Sequence, residues 1–137
     1  MSDTPNPPVA PLPPTSPAPN EKDVRMWNML CHLSALSGLI VPFGNILGPL
    51  LIWQIKKNEI PSVEAHGKAA LNFQITVLIA VVAGAVVAFV LSFFCVGWLL
   101  FPVVMLIGLA GLVFSVIAGI KANDGKEYEY PYSLKLI

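Results

Sequence analysis

Apolar residues fill two stretches of the chain, Met26 to Ile55 and Ala69 to Ile120, with polar residues flanking and separating them. The second stretch holds no Asp, Glu, Lys or Arg. A bilayer core is about 30 Å thick and one helical span takes about 20 apolar residues, so this stretch predicts two spans joined by an uncharged turn. Cys95-Val96-Gly97 is the expected turn, with helices over 62–94 and 98–122. Ser62, after Pro61, is a candidate cap for the first of them. Glu64 and Lys68 make a favourable i,i+4 pair in its opening turns. Gly125, after Asn123-Asp124, suits the left-handed position beyond the end of the second.

The first apolar stretch is interrupted. Pro42, Gly44, Asn45, Gly48 and Pro49 fall within eight positions, and helices usually end at or before the residue preceding a proline. Helices are therefore expected over 25–41 and 46–57, with Asn45 as a candidate cap. Two arrangements remain open: one kinked span, or a hairpin that enters and leaves on one side. Beyond the last helix the chain alternates. Tyr128, Tyr130, Tyr132, Leu134 and Leu136 would share one face of an extended tail, and tyrosine favours the membrane surface.

Composition agrees with this pattern. Charged residues make up 12% of the 137 residues and hydrophobic ones 55%, against about 25% charged in a typical soluble domain. The fold class expected is an all-α integral membrane protein: a broken helical hairpin plus two long transmembrane helices. Eight of the thirteen prolines lie in the first 20 residues, where fixed φ and missing N–H groups oppose helix and sheet. Residues 1–23 are expected to be a disordered Pro-rich tail, a solvated spacer or a ligand for a proline-binding groove, and residues 24–137 a helical membrane domain. The uncharged opening, and the lack of an A-x-A-like site after the first apolar run, argue against a cleaved signal peptide.

Charge also predicts orientation. The eight basic residues fall in three groups, Lys22/Arg25, Lys56/Lys57/Lys68 and Lys121/Lys126/Lys135, and the turn between the last two helices has none. Cytoplasmic loops are enriched in Lys and Arg. A hairpin would place all eight on the cytoplasmic side, with both termini, in a cytoplasmic membrane. It would also seat Trp27 and Trp53 at one interface and Trp98 at the other, and so is favoured over the kinked span. Zero net charge gives no reason to expect nucleic acid as a partner; the expected partners are the lipid bilayer, further copies of the chain, or other membrane proteins.

Polar groups inside apolar segments are costly and mark candidate sites. Asn28, His32, Asn45, His66, Asn72 and Gln74 form the candidate cluster. Its bland reading is that these groups satisfy one another around the hairpin break, which lipid cannot do, so the other helices would have to wrap Pro42–Asn45. Small residues recur at helical spacing in two stripes, Ala80, Gly84, Ala88 and Ser92, then Gly108, Gly111, Ser115 and Gly119, as in helices that approach closely in membranes. Cys31 and Cys95 are far apart in apolar segments and read as buried thiols. No pair of His or Cys has metal-ligand spacing, no carboxylate lies inside a span, and no nucleophile motif is present. No cofactor, metal site or enzymatic activity is expected.

Several runs are more specific. They are Met29-Leu30-Cys31-His32-Leu33-Ser34-Ala35-Leu36, Pro49-Leu50-Leu51-Ile52-Trp53, His66-Gly67-Lys68-Ala69-Ala70-Leu71-Asn72-Phe73-Gln74, and Ile120-Lys121-Ala122-Asn123 with Gly125 and Tyr130-Pro131. Over residues 24–137 this series resembles a widespread bacterial membrane-protein domain of unknown function. That domain is classed as similar to the channel-like subunit of the chloroplast inner-envelope import translocon, the Tic complex. The resemblance implies a four-segment helical membrane protein and no established activity. The function expected is a non-enzymatic membrane component that packs with itself or with partners. The alternative is a small oligomeric channel or carrier, its path lined by the broken hairpin and His32, His66 and Gln74.

Overall fold

The computed structural model describes residues 17–94 and 96–137. Four α-helices follow in order, with no β-strand among the described residues: α1 (Glu21–Leu33), α2 (Gly44–Lys56), α3 (Ser62–Ser92) and α4 (Gly97–Asn123), with a 3-10 helix, Ser34–Leu39, between α1 and α2. Residues 1–16, which hold most of the expected disordered tail, and Cys95 lie outside the described residues.

Helix α1 starts earlier than the apolar pattern suggests, because the charged collar caps it. The Asn20 side chain accepts from the Lys22 N–H at 3.2 Å, Glu21 and Asp23 occupy the first turn, where the helix dipole favours them, and Glu21 pairs with Arg25. It also ends earlier. Ser34 donates its hydroxyl to the Cys31 carbonyl at 3.2 Å and Ser37 to the Ser34 carbonyl at 2.7 Å. Such hydroxyls compete with the helical ladder, and the chain tightens into the 3-10 helix. Phe43 then turns left-handed, φ +59°, and α2 begins.

Two expected caps are corrected here. Asn45 lies inside α2, with Phe43 at the cap, because the amide is engaged by α3. Ser62 is the first residue of α3 rather than its cap, because its hydroxyl is taken by α1. At the other end of the chain Gly125 does adopt φ +77°, and the Lys126 N–H reaches back to the Lys121 carbonyl at 3.0 Å, closing α4 in the manner of a Schellman turn.

The hairpin replaces the kinked span. Gly48 lies against Ser34, Gly44 against Ser37 and Gly38 against Asn45, while the Lys56 ammonium sits 4.8 Å from the Trp27 ring centre. Each step forward along α2 meets a step backward along the preceding helices, so the two arms run antiparallel. Helices α3 and α4 do the same, with Val77 against Gly111 and Gly84 against Val104. Arg25 packs beside Gly125, so the start of α1 and the end of α4 are neighbours. All the basic groups therefore meet at one end of the bundle. Trp53, with Lys57 and Lys68 each 5.7 Å from its ring, lies there too.

The break was expected to need wrapping by the other helices. Instead Leu39 to Phe43 is exposed, Ile40 at 88%, and bonds within the turn take up part of its backbone. The Ile40 and Val41 N–H groups both reach the Ser37 carbonyl, the Gly44 N–H reaches the Val41 carbonyl, and Pro42 has no N–H to satisfy. The Ser37 hydroxyl also donates to the Gly44 carbonyl at 2.7 Å. The side chains that the tip exposes are apolar.

The hairpin is shorter than its neighbours. Its tip shares a groove with Val81 of α3, and α3 runs on to Ser92, about 16 Å further at 1.5 Å per residue. Both hydrophobic clusters lie at the basic end: Cys31, Ile60 and Val63, and Phe73, Ala118 and Tyr130. Past Val81, α3 presents Val82, Val86, Val87, Phe89, Val90 and Phe93 on its surface, each exposed by half or more.

Candidate functional site

The six candidate polar residues do not form one cluster. The structure divides them among four sets of bonds, each tying separate elements together. The most buried set centres on His32, which has no exposed surface. Its Nε2 lies 3.0 Å from Nδ1 of His66 and its Nδ1 lies 2.8 Å from the Tyr130 hydroxyl. A neutral imidazole has one donor and one acceptor. The three groups can therefore be satisfied as one directional chain, with two neutral rings and two shared protons. Burial pushes the Tyr130 phenol above its ordinary range, which keeps the hydroxyl available as a donor. The ring of Tyr130 stacks on Phe73, centroids 4.0 Å apart.

Tyr130 is the residue that sequence reasoning missed. Alternation placed it with Tyr132 on one face of an extended tail. The chain turns at Pro131-Tyr132, with φ +59° at Tyr132, so Tyr130 is 5% exposed and Tyr132 97%. The tail then crosses the surface of α3. The Leu134 N–H donates to the Thr76 hydroxyl, and the Leu136 and Ile137 N–H groups both donate to the Asn72 side-chain oxygen, each at 2.9 Å. Asn72 is thus an anchor for the tail, not a neighbour of the histidines. A cavity of about 500 Å³ lies between this tail and α3, lined by Asn72, Glu127, Glu129 and Tyr130 among others.

The second set joins α2, α3 and α4. Asn45 donates to Gln74 at 3.3 Å, Gln74 donates to the Ser115 hydroxyl at 2.7 Å, and Ser115 donates to the Gly111 carbonyl at 2.9 Å. Asn28 stands apart, exchanging bonds of 2.9 and 3.1 Å with Ser62. These bonds sew α1 to α3, α2 to α3, and α3 to α4.

The small-residue stripes pack within the chain, and four of their eight members receive a larger neighbour rather than another small one. Gly84 takes Val104, Gly111 takes Val77, and Gly119 takes Leu33 of α1. Ser115 takes Gln74, while Ala88 and Ser92 hold Gly97 at the start of α4. Ala80 is half-buried. Gly108 differs: a Cβ there would meet nothing within 4 Å. Gly108→Ala is expected to leave the fold intact and raise stability by up to about 1 kcal/mol through helix propensity. Thermal unfolding in detergent checks this, and a lowered midpoint would show that Gly108 is packed after all.

Comparison with known proteins identifies a family. The model of the magnetosome magnetite crystal formation protein family matches residues 23–137, and the chain belongs to that family. No curated protein and no solved structure matches it. The expectation of a small bacterial membrane-protein family holds in that form. The likeness to the translocon subunit has no support in these comparisons.

Proposed function

With membership of the magnetosome magnetite crystal formation family as premise, we propose that the chain is a non-enzymatic component of the membrane in which that family acts. It packs there with copies of itself or with other membrane proteins. Helices α3 and α4 cross the bilayer, the hairpin enters and leaves on the cytoplasmic side, and both termini lie there with the basic residues. The observation that carries this reading is the pairing of the polar groups. Each of the six candidates is bonded to another element of the same chain. A channel or carrier lined by His32, His66 and Gln74 would need these groups to leave their partners, each at the cost of a buried unpaired polar atom.

Two measurements test the proposal. In a variant carrying Ala18→Cys and lacking Cys31 and Cys95, an impermeant maleimide is expected to label inverted vesicles and not intact cells. Labelling of intact cells would overturn the orientation. His66→Ala is expected to reduce the amount of folded protein in the membrane by severalfold. Normal accumulation together with altered ion flux through proteoliposomes would favour the lined path instead.

A further inference from the structure

We infer that the protein is a wedge that prefers, and stabilises, membrane bent so that its basic end lies in the convex leaflet. The inference rests on the proposed reading that α3 and α4 span the bilayer with the hairpin inserted from the basic end. At that end four helical segments stand side by side, with Arg25 against Gly125, Asn28 bonded to Ser62 and Gly119 against Leu33. The C-terminal tail adds to the same level, docked through Thr76 and Asn72. At the far end only α3 and α4 remain, held by Gly84 against Val104 and by Gly97 against Ala88 and Ser92.

The step between the two ends lies close to the middle of the bilayer. Charge stops at Lys68. From there to Val81, the level of the hairpin tip, α3 rises about 20 Å, and from Val81 to Ser92 about 16 Å. A helix with its side chains is about 10–12 Å across, so four helices occupy roughly 400 Å² of one leaflet and two occupy roughly 200 Å² of the other. The hairpin tip is apolar, and bonds within the turn and from the Ser37 hydroxyl take up part of its backbone. Leu39, Ile40, Val41 and Phe43 are exposed there. A body that displaces twice the area in one leaflet strains a flat bilayer. Bending relieves the strain by giving the crowded leaflet more area, and insertion of shallow apolar segments is curvature-sensitive for the same reason.

The test uses the full chain, labelled at Ala18→Cys and reconstituted from detergent into vesicles of one lipid composition and a broad range of sizes. Protein density is read vesicle by vesicle. The expected result is a density about fivefold higher in the smallest vesicles than in the largest, a bias of roughly 1 kcal/mol. The label should face outward in the small ones. Adding a single-chain lysolipid to the outer leaflet supplies the same wedge and should lower the bias. Equal density at all sizes, or an inward-facing label in small vesicles, would overturn the wedge. Extraction of the chain by alkaline carbonate is a separate readout: it would overturn the spanning reading, whereas resistance to extraction with no size preference would overturn the wedge alone.

Discussion

Replacing His32 with alanine is expected to destabilise the protein by about 3 kcal/mol or more. The change strands the Tyr130 hydroxyl and Nδ1 of His66 in a buried site, and each stranded group costs about 1–3 kcal/mol. The void left by the ring adds to this. His32→Phe separates the two causes, because it fills the volume and restores neither bond. Tyr130→Phe removes one hydroxyl and keeps the stack on Phe73, so its expected cost is about 1 kcal/mol. Equilibrium unfolding in mixed micelles, run as a cycle on His32 and Tyr130, measures the coupling between them. If His32→Ala unfolds at the same point as the parent, the buried chain of bonds is not a structural lock, and the packing role proposed for the polar cluster fails with it.

Gly48→Ala is expected to have the second large effect, about 2–3 kcal/mol, the upper range for overpacking. A Cβ at this position would run into the Ser34 carbonyl oxygen and also lie 2.8 Å from the Ser34 carbonyl carbon. Those are backbone atoms of the opposite arm, so no side-chain rotation relieves the overlap and the two arms must separate. Separation would pull Ser37 from the Gly44 carbonyl and open the turn. The readouts are the unfolding midpoint and proteolysis at Lys56 and Lys57. A variant as stable and as resistant as the parent would mean that the arms are not in backbone contact. The contrast with Gly108, where a methyl group meets nothing, separates the close approach from any general effect of replacing glycine in a helix.

Much of the architecture was legible because lipid imposes a coarse rule. Charge is excluded from the spans, so Ala69 to Ile120 announced two helices, and the cluster of Pro42, Gly44 and Pro49 announced the break. The hairpin itself was readable from where Lys and Trp fall. What was not legible depended on contacts between residues far apart in sequence. Nothing local to Ser62 says that its hydroxyl is held by Asn28, 34 positions earlier, and so a cap was expected there. Tyr130 looked like one of several interfacial tyrosines, because a left-handed residue at Tyr132 breaks the alternation and non-glycine sequences rarely signal that conformation. Of the candidate polar residues, pattern reasoning found His32 and His66 but not the third member that joins them. The exposure of the hairpin tip was missed for a different reason. An irregular break at membrane depth is expected to be covered by other helices, whereas here bonds from Ser37 and within the turn take up part of it locally.

The bond between His32 and Tyr130 spans 98 positions of sequence, and this has a consequence for biosynthesis. A chain made from its N-terminus lays down α1, α2 and α3 before Tyr130 exists. During that interval the paired histidines lack their third member and Phe73 lacks the ring that stacks on it. The buried chain of bonds on His32 is therefore completed only after all four helices have been made. A nascent chain that stalls, or is clipped, between Asn123 and Tyr130 holds all four helices but an unfinished seam, and differs from the finished protein by that seam rather than by a missing helix.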